Sequence, residues 1–255
     1  MPLNLQFVLP LVAVLGLHGT ALGQPAAPAD VRPTVLSAEQ VVSNLTRMNM
    51  ERAQALRAYE STRIYKVEYH GFPGGRKAEM VVNVVYRAPA TKEFTVVSSS
   101  GSKLLIDRVL NKLLQSEQEA FEKENRQQTA INPENYLFTL NGVETLPGGP
   151  CYVLEVKPRI KNKFLFQGRI WIDAQHFAVA RIEARPSKNP SFWIKDTKIE
   201  EENLRVGEFW LPAHNHSVTA VRLGGHADLT IEHKDYRITT AGASDTLSGA
   251  APAAR

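Results

Sequence analysis

The chain has 255 residues, of which 43% are hydrophobic and 22% are charged, and its formal net charge is +4. This composition excludes an intrinsically disordered chain, a coiled coil and a collagen-like repeat. The single cysteine excludes an intramolecular disulfide framework and a metal cluster held by several cysteines. A charge of +4 on a chain of this length is a weak field, so we expect no nucleic-acid partner.

The N-terminal segment has the features of an export signal. Residues 7–17 form an apolar run that is too short to span a hydrocarbon core of about 30 Å. Ala21 and Gly23 then supply the small residues of a cleavage site before Gln24. We therefore predict a signal peptide over 1–23 and a periplasmic location, with an uncleaved N-terminal anchor as the alternative.

Composition divides the rest of the chain into three parts. Residues 24–36 are rich in proline and alanine, and we predict that they form a linker. Residues 37–240 carry the periodic patterns of helices and strands, so we expect one folded domain there. Residues 241–255 are rich in small side chains without apolar periodicity, which predicts a disordered tail.

Two amphipathic helices are predicted in the domain. Ser37 and Gln40 have the spacing of a capping box, and the apolar residues that follow at helical intervals indicate a helix over 38–58. A second helix is predicted over 102–127, because the apolar residues there form a wide stripe opposite Asp107 and its polar neighbours.

Most of the remaining chain alternates between apolar and polar residues with the period of a β-strand. In the segment 64–69, Tyr65, Val67 and Tyr69 share one face, and turn signals such as 147–150 separate segments of this kind. Strands spaced so closely are antiparallel, and helices must cover the apolar side of their sheet. We therefore predict an α+β fold, in which a strongly curved antiparallel β-sheet (a half-barrel) has helices covering its concave face.

The order of these elements and three short motifs resemble those of one known family. Arg87 and Pro89 end the second strand, and Phe94 opens the third. The segments 168–173 (Gly-Arg-Ile-Trp-Ile-Asp) and 207–212 (Gly-Glu-Phe-Trp-Leu-Pro) resemble strand motifs of the same group. Over nearly all of the predicted domain, the chain is similar to the LolA/LolB/RseB-like superfamily of outer-membrane lipoprotein-sorting proteins.

This resemblance implies a function. It implies a monomeric periplasmic carrier, not an enzyme, that binds the acyl chains of lipoproteins or another lipid in a hydrophobic cavity and moves them toward the outer membrane. The implied partners are an inner-membrane transporter and an outer-membrane receptor, and no cofactor is expected. The alternative within the superfamily is an RseB-like regulatory or adaptor protein that senses lipid or mislocalised lipoprotein.

Large apolar side chains on the predicted strands are the candidates for binding an acyl chain. The residues expected to line the cavity are Tyr65, Val67, Tyr69, Met80, Val82, Val84, Tyr86, Phe94, Phe166 and Ile170. The resemblance implies that the second helix is a lid, which Arg87 holds through hydrogen bonds to backbone when the cavity is empty. The other expected lid residues are Leu105, Val109, Leu113 and Leu114. An ordinary hydrophobic core and a plain surface role for Arg87 are the alternatives.

Residues that often carry catalysis or bind metals do not form a set in this sequence. His214 and His216 share a face of a predicted strand, but no carboxylate or cysteine at fixed spacing accompanies them, so no metal site is predicted. Cys151 stands at a predicted strand start, where we expect a small buried residue rather than a nucleophile. The glutamates around Glu117 and Glu201 are interpreted as solvated.

A series of four cations alternates with other residues in the middle of the chain, at Lys157, Arg159, Lys161 and Lys163. If a strand continued through this series, the four charges would form a ladder able to bind anionic lipid headgroups. The alternative is a solvated hairpin tip between two strands.

Overall fold

The structure is a computed structural model. It describes residues 36–89, 91–121, 125, 128–189, 194–222, 224–241 and 247–249. The predicted signal peptide, and the predicted linker apart from its last residue, lie outside these ranges.

The first helix, α1, runs from Ala38 to Ala55 and begins as predicted. The Ser37 hydroxyl accepts a hydrogen bond from the Gln40 backbone N–H at 3.3 Å, and the Gln40 side chain accepts one from the Ser37 N–H at 2.8 Å. The predicted end at residue 58 is wrong, because Leu56 already belongs to the first strand, where it is buried. Apolar residues in this stretch fit both the helical and the strand period, so spacing alone did not separate them.

Within the described residues, ten strands form one antiparallel sheet, and a short eleventh strand pairs with the tenth. The strands are β1 (Leu56–His70), β2 (Arg76–Arg87), β3 (Thr91–Gly101), β4 (Tyr136–Leu146), β5 (Gly149–Pro158), β6 (Phe166–Asp173), β7 (Val179–Pro186), β8 (Ile194–Val206), β9 (Phe209–Val221), β10 (His226–Thr240) and β11 (Leu247–Gly249). Their order is β3-β2-β1-β10-β9-β8-β7-β6-β5-β4, so the first strand in the chain lies inside the sheet and pairs with β10. The sheet is curved and its described strands do not close into a barrel, which confirms the predicted α+β half-barrel.

A second helical segment covers the part of the inner face that β1 and β2 form. It comprises α2 (Lys103–Leu105), a π-helical stretch (Ile106–Leu110) and α3 (Asn111–Phe121), and we call it the covering helix. Leu105, Leu110 and Leu114 on this segment are buried against the sheet. The helix predicted over 102–127 is confirmed as far as Phe121, and most of its predicted last turn lies outside the described residues.

The two helical segments bury separate apolar layers against the inner face of the sheet. The strand residues buried beneath the covering helix include Tyr65, Val67, Met80, Val82 and Val84. The residues buried between α1 and the other half of the sheet include Val41, Val42, Leu45, Phe166 and Ile170. Because side chains alternate along a strand, β1 and β2 present every second residue to the layer beneath the covering helix, as the sequence pattern predicts.

The described C-terminal residues include β11, which pairs with β10 through partners such as Gly249 and Tyr236. This strand falls within 241–255, where the sequence predicts a disordered tail, and residues 242–246 and 250–255 lie outside the described part. In the part of the chain that the structure describes, no helix has both the length and the apolar character needed to cross a bilayer.

The basic series falls at the turn between β5 and β6. Since β5 ends at Pro158, the strand does not continue through the series, and the hairpin-tip interpretation is confirmed. Lys157 Nζ lies 3.0 Å from Glu155 Oε1, and Lys163 Nζ lies 3.3 Å from Glu119 Oε2. These two cations are therefore paired with neighbouring carboxylates.

Gly101 ends β3 and sets the point where the covering helix begins. Its φ is +91°, and a Cβ there would meet the Lys77 carbonyl oxygen and lie 2.9 Å from Ala78 Cα. Replacing Gly101 by alanine is expected to lower the free energy of unfolding by about 1–3 kcal/mol in urea denaturation. Gly148→Ala, at a turn glycine with open space around it, is the control and is expected to change stability by less than about 0.5 kcal/mol. Equal losses in the two variants would contradict the strain assigned to Gly101.

Candidate functional site

A cavity, which we call the inner cavity, lies on the inner face of the sheet, between α1 and the C-terminal end of the covering helix. Its volume is about 210 Å³, which is below the roughly 300–1,000 Å³ of common ligand pockets. Its polar lining residues include Asn49, Arg52, Arg63, Lys92, Glu117, Glu201, Asn203, Asn215 and His233. Its larger apolar lining residues include Met50, Leu56, Tyr59, Tyr86, Phe121, Trp210, Leu211 and Ile231. Several buried charges are thus gathered in an interior that the sequence predicts to be apolar.

Glu117 of the covering helix is the centre of a buried ion-pair cluster. Arg63 Nη1 lies 2.6 Å from Glu117 Oε2, and Lys92 Nζ donates to Glu117 Oε1. All three side chains are at most 6% exposed. Lys92 Nζ also lies 4.6 Å from the ring centre of Phe121 and 5.7 Å from that of Phe94. The covering helix is therefore joined to β1 and β3 by charge as well as by apolar packing.

The electrostatics of this cluster favour its ionised form. Burial alone would raise the pKa of Glu117, but the charges and hydrogen bonds of Arg63 and Lys92 outweigh burial and lower that pKa to about 2. Burial opposes the charge on Arg63, yet the adjacent Glu117 carboxylate raises the pKa of that guanidinium well above its usual value. At neutral pH the cluster thus holds one anion and two cations.

A second buried carboxyl group, that of Glu201 on β8, begins a chain of hydrogen bonds across three strands. Asn215 Nδ2 donates to Glu201 Oε2 at 2.7 Å, and Asn215 Oδ1 lies 2.8 Å from His233 Nε2. Because an amide oxygen only accepts, this contact assigns the proton of a neutral His233 to Nε2. The other ring nitrogen, Nδ1, lies 3.4 Å from the Tyr236 hydroxyl.

The Glu201 carboxyl group and the His233 imidazole, which lie at opposite ends of this series of hydrogen bonds, both favour their neutral forms. Burial raises the pKa of Glu201 to about 7, although two amide hydrogen bonds and the charge of Arg63 act in the opposite direction. Burial first, and then nearby cations, lower the pKa of His233 well below its usual value. Glu201 is therefore the lining group whose charge changes near neutral pH.

Three polar atoms of the cavity lining have no hydrogen-bond partner within the described part of the chain. They are the donors Arg63 Nε and Trp210 Nε1 and the acceptor Asn203 Oδ1. Leaving such a group unpaired costs about 1–3 kcal/mol. The lining is therefore suited to an ordered water molecule, or to the carbonyl or hydroxyl group of a ligand, beside apolar surface.

Arg52 holds α1 against two hairpin turns of the sheet. Its guanidinium donates to the backbone carbonyls of His176, Phe177 at 3.3 Å and Glu208 at 3.1 Å, and the side chain is buried. The resemblance assigned this kind of contact, an arginine that binds backbone, to Arg87. The structure shows such a contact at Arg52, on the other helical cover.

The residues predicted to line the ligand cavity lie in three environments. Tyr86 lines the inner cavity. Those beneath the covering helix are Tyr65, Val67, Met80, Val82 and Val84, with Tyr69 and Phe94 partly buried at the margin of the same layer. Those beneath α1 are Phe166 and Ile170. In the structure the two apolar layers are filled by helix side chains, so ligand binding by these residues stays a prediction.

The residues predicted to form the lid also lie in different places. Those of the covering helix that pack on the β1–β2 layer are Leu105, Val109, Leu113 and Leu114. Arg87 ends β2 with its side chain 56% exposed, and its Nη1 lies 3.3 Å from Glu93 Oε2 on β3. Glu117 makes a buried charged contact between the covering helix and the sheet, and a lid role for Arg87 stays a prediction.

The interpretation of Glu117 and Glu201 as solvated residues is wrong, since they are 4% and 7% exposed. For two of the buried charged residues that were not predicted, the sequence does contain a pattern that indicates burial. Glu117 is three positions after Leu114, so it lies on the apolar stripe of the helix. Arg63 is two positions before Tyr65, so strand alternation places it on the same inward face.

Cys151 is confirmed as a small buried residue. Its side chain lies in the core, and burial, followed by the nearby Asp173 carboxylate, raises the pKa of its thiol to about 11. The thiol is therefore protonated at neutral pH and is not a nucleophile there. His214 and His216 lie on β9 at positions that alternate with the inward-facing Asn215, so they point away from the cavity.

No family model and no curated protein sequence matches the chain. A DUF1329 family protein from Desulfovibrio piger matches with 13% identity and a TM-score of 0.40, over 82% of this chain and 95% of that chain. A Vibrio parahaemolyticus domain described as an outer membrane lipoprotein-sorting protein matches with 13% identity and a TM-score of 0.42, over 81% and 95%. A LolA superfamily protein from Nitrosomonas europaea matches with 9% identity and a TM-score of 0.35, over 79% and 93%.

Proposed function

We propose that the protein is a periplasmic, non-enzymatic carrier that binds the acyl chain of a lipoprotein, or of another lipid, beneath the covering helix and moves it toward the outer membrane. The observation that carries the proposal is the covering helix itself. Its apolar stripe packs on the inner face of an open sheet, and one buried carboxylate, that of Glu117, anchors it. Such a carrier needs an apolar layer and a separable cover rather than catalytic groups.

The closed and loaded states of this carrier would be close in free energy. Leu105, Leu110 and Leu114 each contribute about 1.5–3 kcal/mol by their burial beneath the helix. An acyl chain of about 16 carbons gains on the order of 10 kcal/mol on burial, at about 0.8 kcal/mol per CH₂. An acyl chain on the same layer would therefore offset the loss of the leucine contacts, which suits a protein that both takes up and releases cargo.

The inner cavity, with its unpaired polar groups, offers a place for the other end of such a ligand. Lipid ester and amide carbonyls accept hydrogen bonds, and Arg63 Nε and Trp210 Nε1 are donors with no partner among the described residues. Arg63 is on the same strand face as Tyr65 of the apolar layer, so the two environments adjoin. In this proposal the hydrocarbon lies beneath the helix and the carbonyl lies in the cavity.

The proposed location rests on the predicted signal peptide, and the proposed partners are those that the family resemblance implies. Cleavage after Gly23 would release the protein into the periplasm, with a domain over 37–240 between a linker and a tail. An inner-membrane transporter would supply the lipoprotein, and an outer-membrane receptor would accept it. The carrier would act as a monomer.

The test is the lipid content of the protein after purification from the periplasm without detergent, measured by native mass spectrometry and lipid extraction. A lipidated protein or an acyl lipid bound at about one per chain is the expected result. Glu117→Gln weakens the anchor of the covering helix, so it is expected to speed uptake of a fluorescent fatty-acid probe several-fold. Glu119→Gln changes a more exposed glutamate of the same helix, so it is the control and is expected to leave uptake unchanged.

A protein that purifies empty and also fails to bind the probe would contradict the proposal, and the apolar layers would then be ordinary core. A protein that holds lipid but retains it when acceptor vesicles are added would contradict transport and favour the RseB-like sensor.

A further inference from the structure

A cluster of imidazole and carboxylate groups lies on the outer face of the sheet, opposite the helices. Within the described part of the chain, His70, His226 and Asp228 present ligand atoms that all lie within 4.8 Å of one another. These positions alternate with Tyr69 and Leu229, which face the inner layer. The cluster is therefore separate from the cavity and from the proposed acyl-chain site.

The carboxylate of Asp228 is the centre of this cluster. His226 Nε2 lies 3.3 Å from Asp228 Oδ2, and His70 Nε2 lies 3.9 Å from the same oxygen. The two imidazole rings are stacked, with centroids 4.9 Å apart and planes 23° apart. His216 Nε2 approaches from β9 and lies 3.7 Å from the other oxygen, Oδ1. Three strands thus direct ring nitrogens at one carboxylate.

Strand pairing, rather than a loop, holds the cluster together. His70 and His226 are direct partners in the β1–β10 ladder. Asp228 follows His226 by two residues, so both side chains leave the strand on the same face. The backbone positions are fixed by the sheet, and only side-chain rotation separates this arrangement from a ligand set.

We propose that His70, His226 and Asp228 bind a divalent transition-metal ion, best matched by Zn²⁺, with water in the fourth position. Two imidazole nitrogens and one carboxylate oxygen are ligands that Zn²⁺ takes in open tetrahedral sites. With metal–ligand distances of about 2.0–2.1 Å, ligand atoms of a tetrahedral site lie about 3.3–3.4 Å apart. The 3.3 Å separation of His226 Nε2 from Asp228 Oδ2 meets this value, and a small rotation of His70 would complete the set.

The surroundings of the cluster suit an ion. Glu68 Oε2 lies 3.6 Å from His70 Nε2, while Glu68 Oε1 accepts from Lys77 Nζ at 2.8 Å, so the charge of Glu68 is balanced by Lys77. His216 is placed to hydrogen-bond the second oxygen of the Asp228 carboxylate and hold its orientation. The side chains of His70 and His226 are 48% and 51% exposed, so an ion can reach them from solvent.

The test is calorimetric titration of ZnCl₂ into the purified protein, which carries no polyhistidine tag and has been treated with EDTA and dialysed. One Zn²⁺ per chain is expected, and His226→Ala and Asp228→Asn are each expected to weaken the affinity at least about tenfold. Zn²⁺ at a hundredfold excess over the Kd of the unmodified protein is expected to raise the Tm of that protein by about 5 °C, and the Tm of each variant by no more than about half as much. His214→Ala removes a histidine of the neighbouring strand β9 that is not part of the cluster, so it is the control, with unchanged affinity expected.

An absence of Zn²⁺ binding would overturn the proposal, as would binding of unchanged affinity in both variants. An equal loss of affinity in His214→Ala would overturn the assignment of the ligands. Because the substituted side chains lie at the surface, the metal-free variants are expected to keep the circular dichroism spectrum of the unmodified protein, which separates lost binding from lost folding.

Discussion

Replacing Glu117 by alanine is expected to lower the free energy of unfolding by about 3–5 kcal/mol, because two buried cations, Arg63 and Lys92, lose their anion. Urea denaturation at neutral pH measures this loss. The pKa of Glu117 also predicts its pH dependence, since it is about 2 in the folded chain and close to the ordinary 4.5 in the unfolded chain. The stability from Glu117 is therefore present above about pH 4.5 and is lost as the pH falls toward 2.

Two further variants test the cause of this loss. Glu119→Ala removes a glutamate of the same helix whose side chain is 36% exposed, and it is expected to change stability by less than about 1 kcal/mol. A triple variant with Arg63→Met, Lys92→Met and Glu117→Leu removes the whole cluster and is expected to recover most of the loss. If the triple variant stays as unstable as Glu117→Ala, the uncompensated charges are not the cause.

Replacing Glu201 by glutamine is expected to raise the free energy of unfolding at pH 8 by on the order of 2–3 kcal/mol. The pKa of Glu201 is about 7 in the folded chain, above the ordinary 4.5 of the unfolded chain. The folded protein thus keeps a proton that the unfolded chain releases, and it loses this stability as the pH rises from about 4.5 through 7. Glutamine has the same shape, stays neutral and can still accept the hydrogen bond from Asn215, so the variant avoids the loss.

The measurement is the difference between the variant and the unmodified protein in urea denaturation from pH 4 to pH 8.5. The difference cancels the opposite trend of His233, whose lowered pKa makes stability fall as the pH drops. Glu202→Gln, at a neighbouring glutamate with a 58% exposed side chain, is the control and is expected to show a flat difference. A flat difference for Glu201→Gln as well would show that the buried carboxyl is not neutral in the folded protein.

The elements of this fold could be predicted from the sequence because each depends on a local period. The capping pair Ser37 and Gln40, and the alternation that places Tyr65 and Met80 inward, are readable without knowledge of the fold. The predicted helix end at residue 58 is wrong, because Leu56 fits both the helical period and the strand period. A local pattern predicts an element well where its apolar residues fit only the helical or only the strand period. It predicts the element poorly where they fit both periods.

The candidate site could be predicted only in part, because it depends on which strands become neighbours. Glu201 follows Glu117 by 84 positions in the printed sequence, and the environment of each depends on contacts with other elements. Arg63 was not predicted as a site residue, although strand alternation from Tyr65 is consistent with its inward position. A charged residue on a predicted apolar face is therefore a signal for a buried partner. The outer-face histidines carried no such signal, since His70 and His226 meet only through the pairing of β1 with β10.

That pairing also has a consequence for how the chain becomes folded. Lys66 on β1 and Glu232 on β10 are 166 positions apart, and their strands form the seam that joins the two halves of the sheet. Contacts of such long range slow folding, because a large loop must be closed before they form. During synthesis from the N-terminus, β1–β3 are made long before β10, so the edge of β1 that pairs with β10 stays unpaired until most of the domain has been made. In an incomplete chain the edge of β1 is therefore exposed, and there it can bind a chaperone or pair with another chain and aggregate.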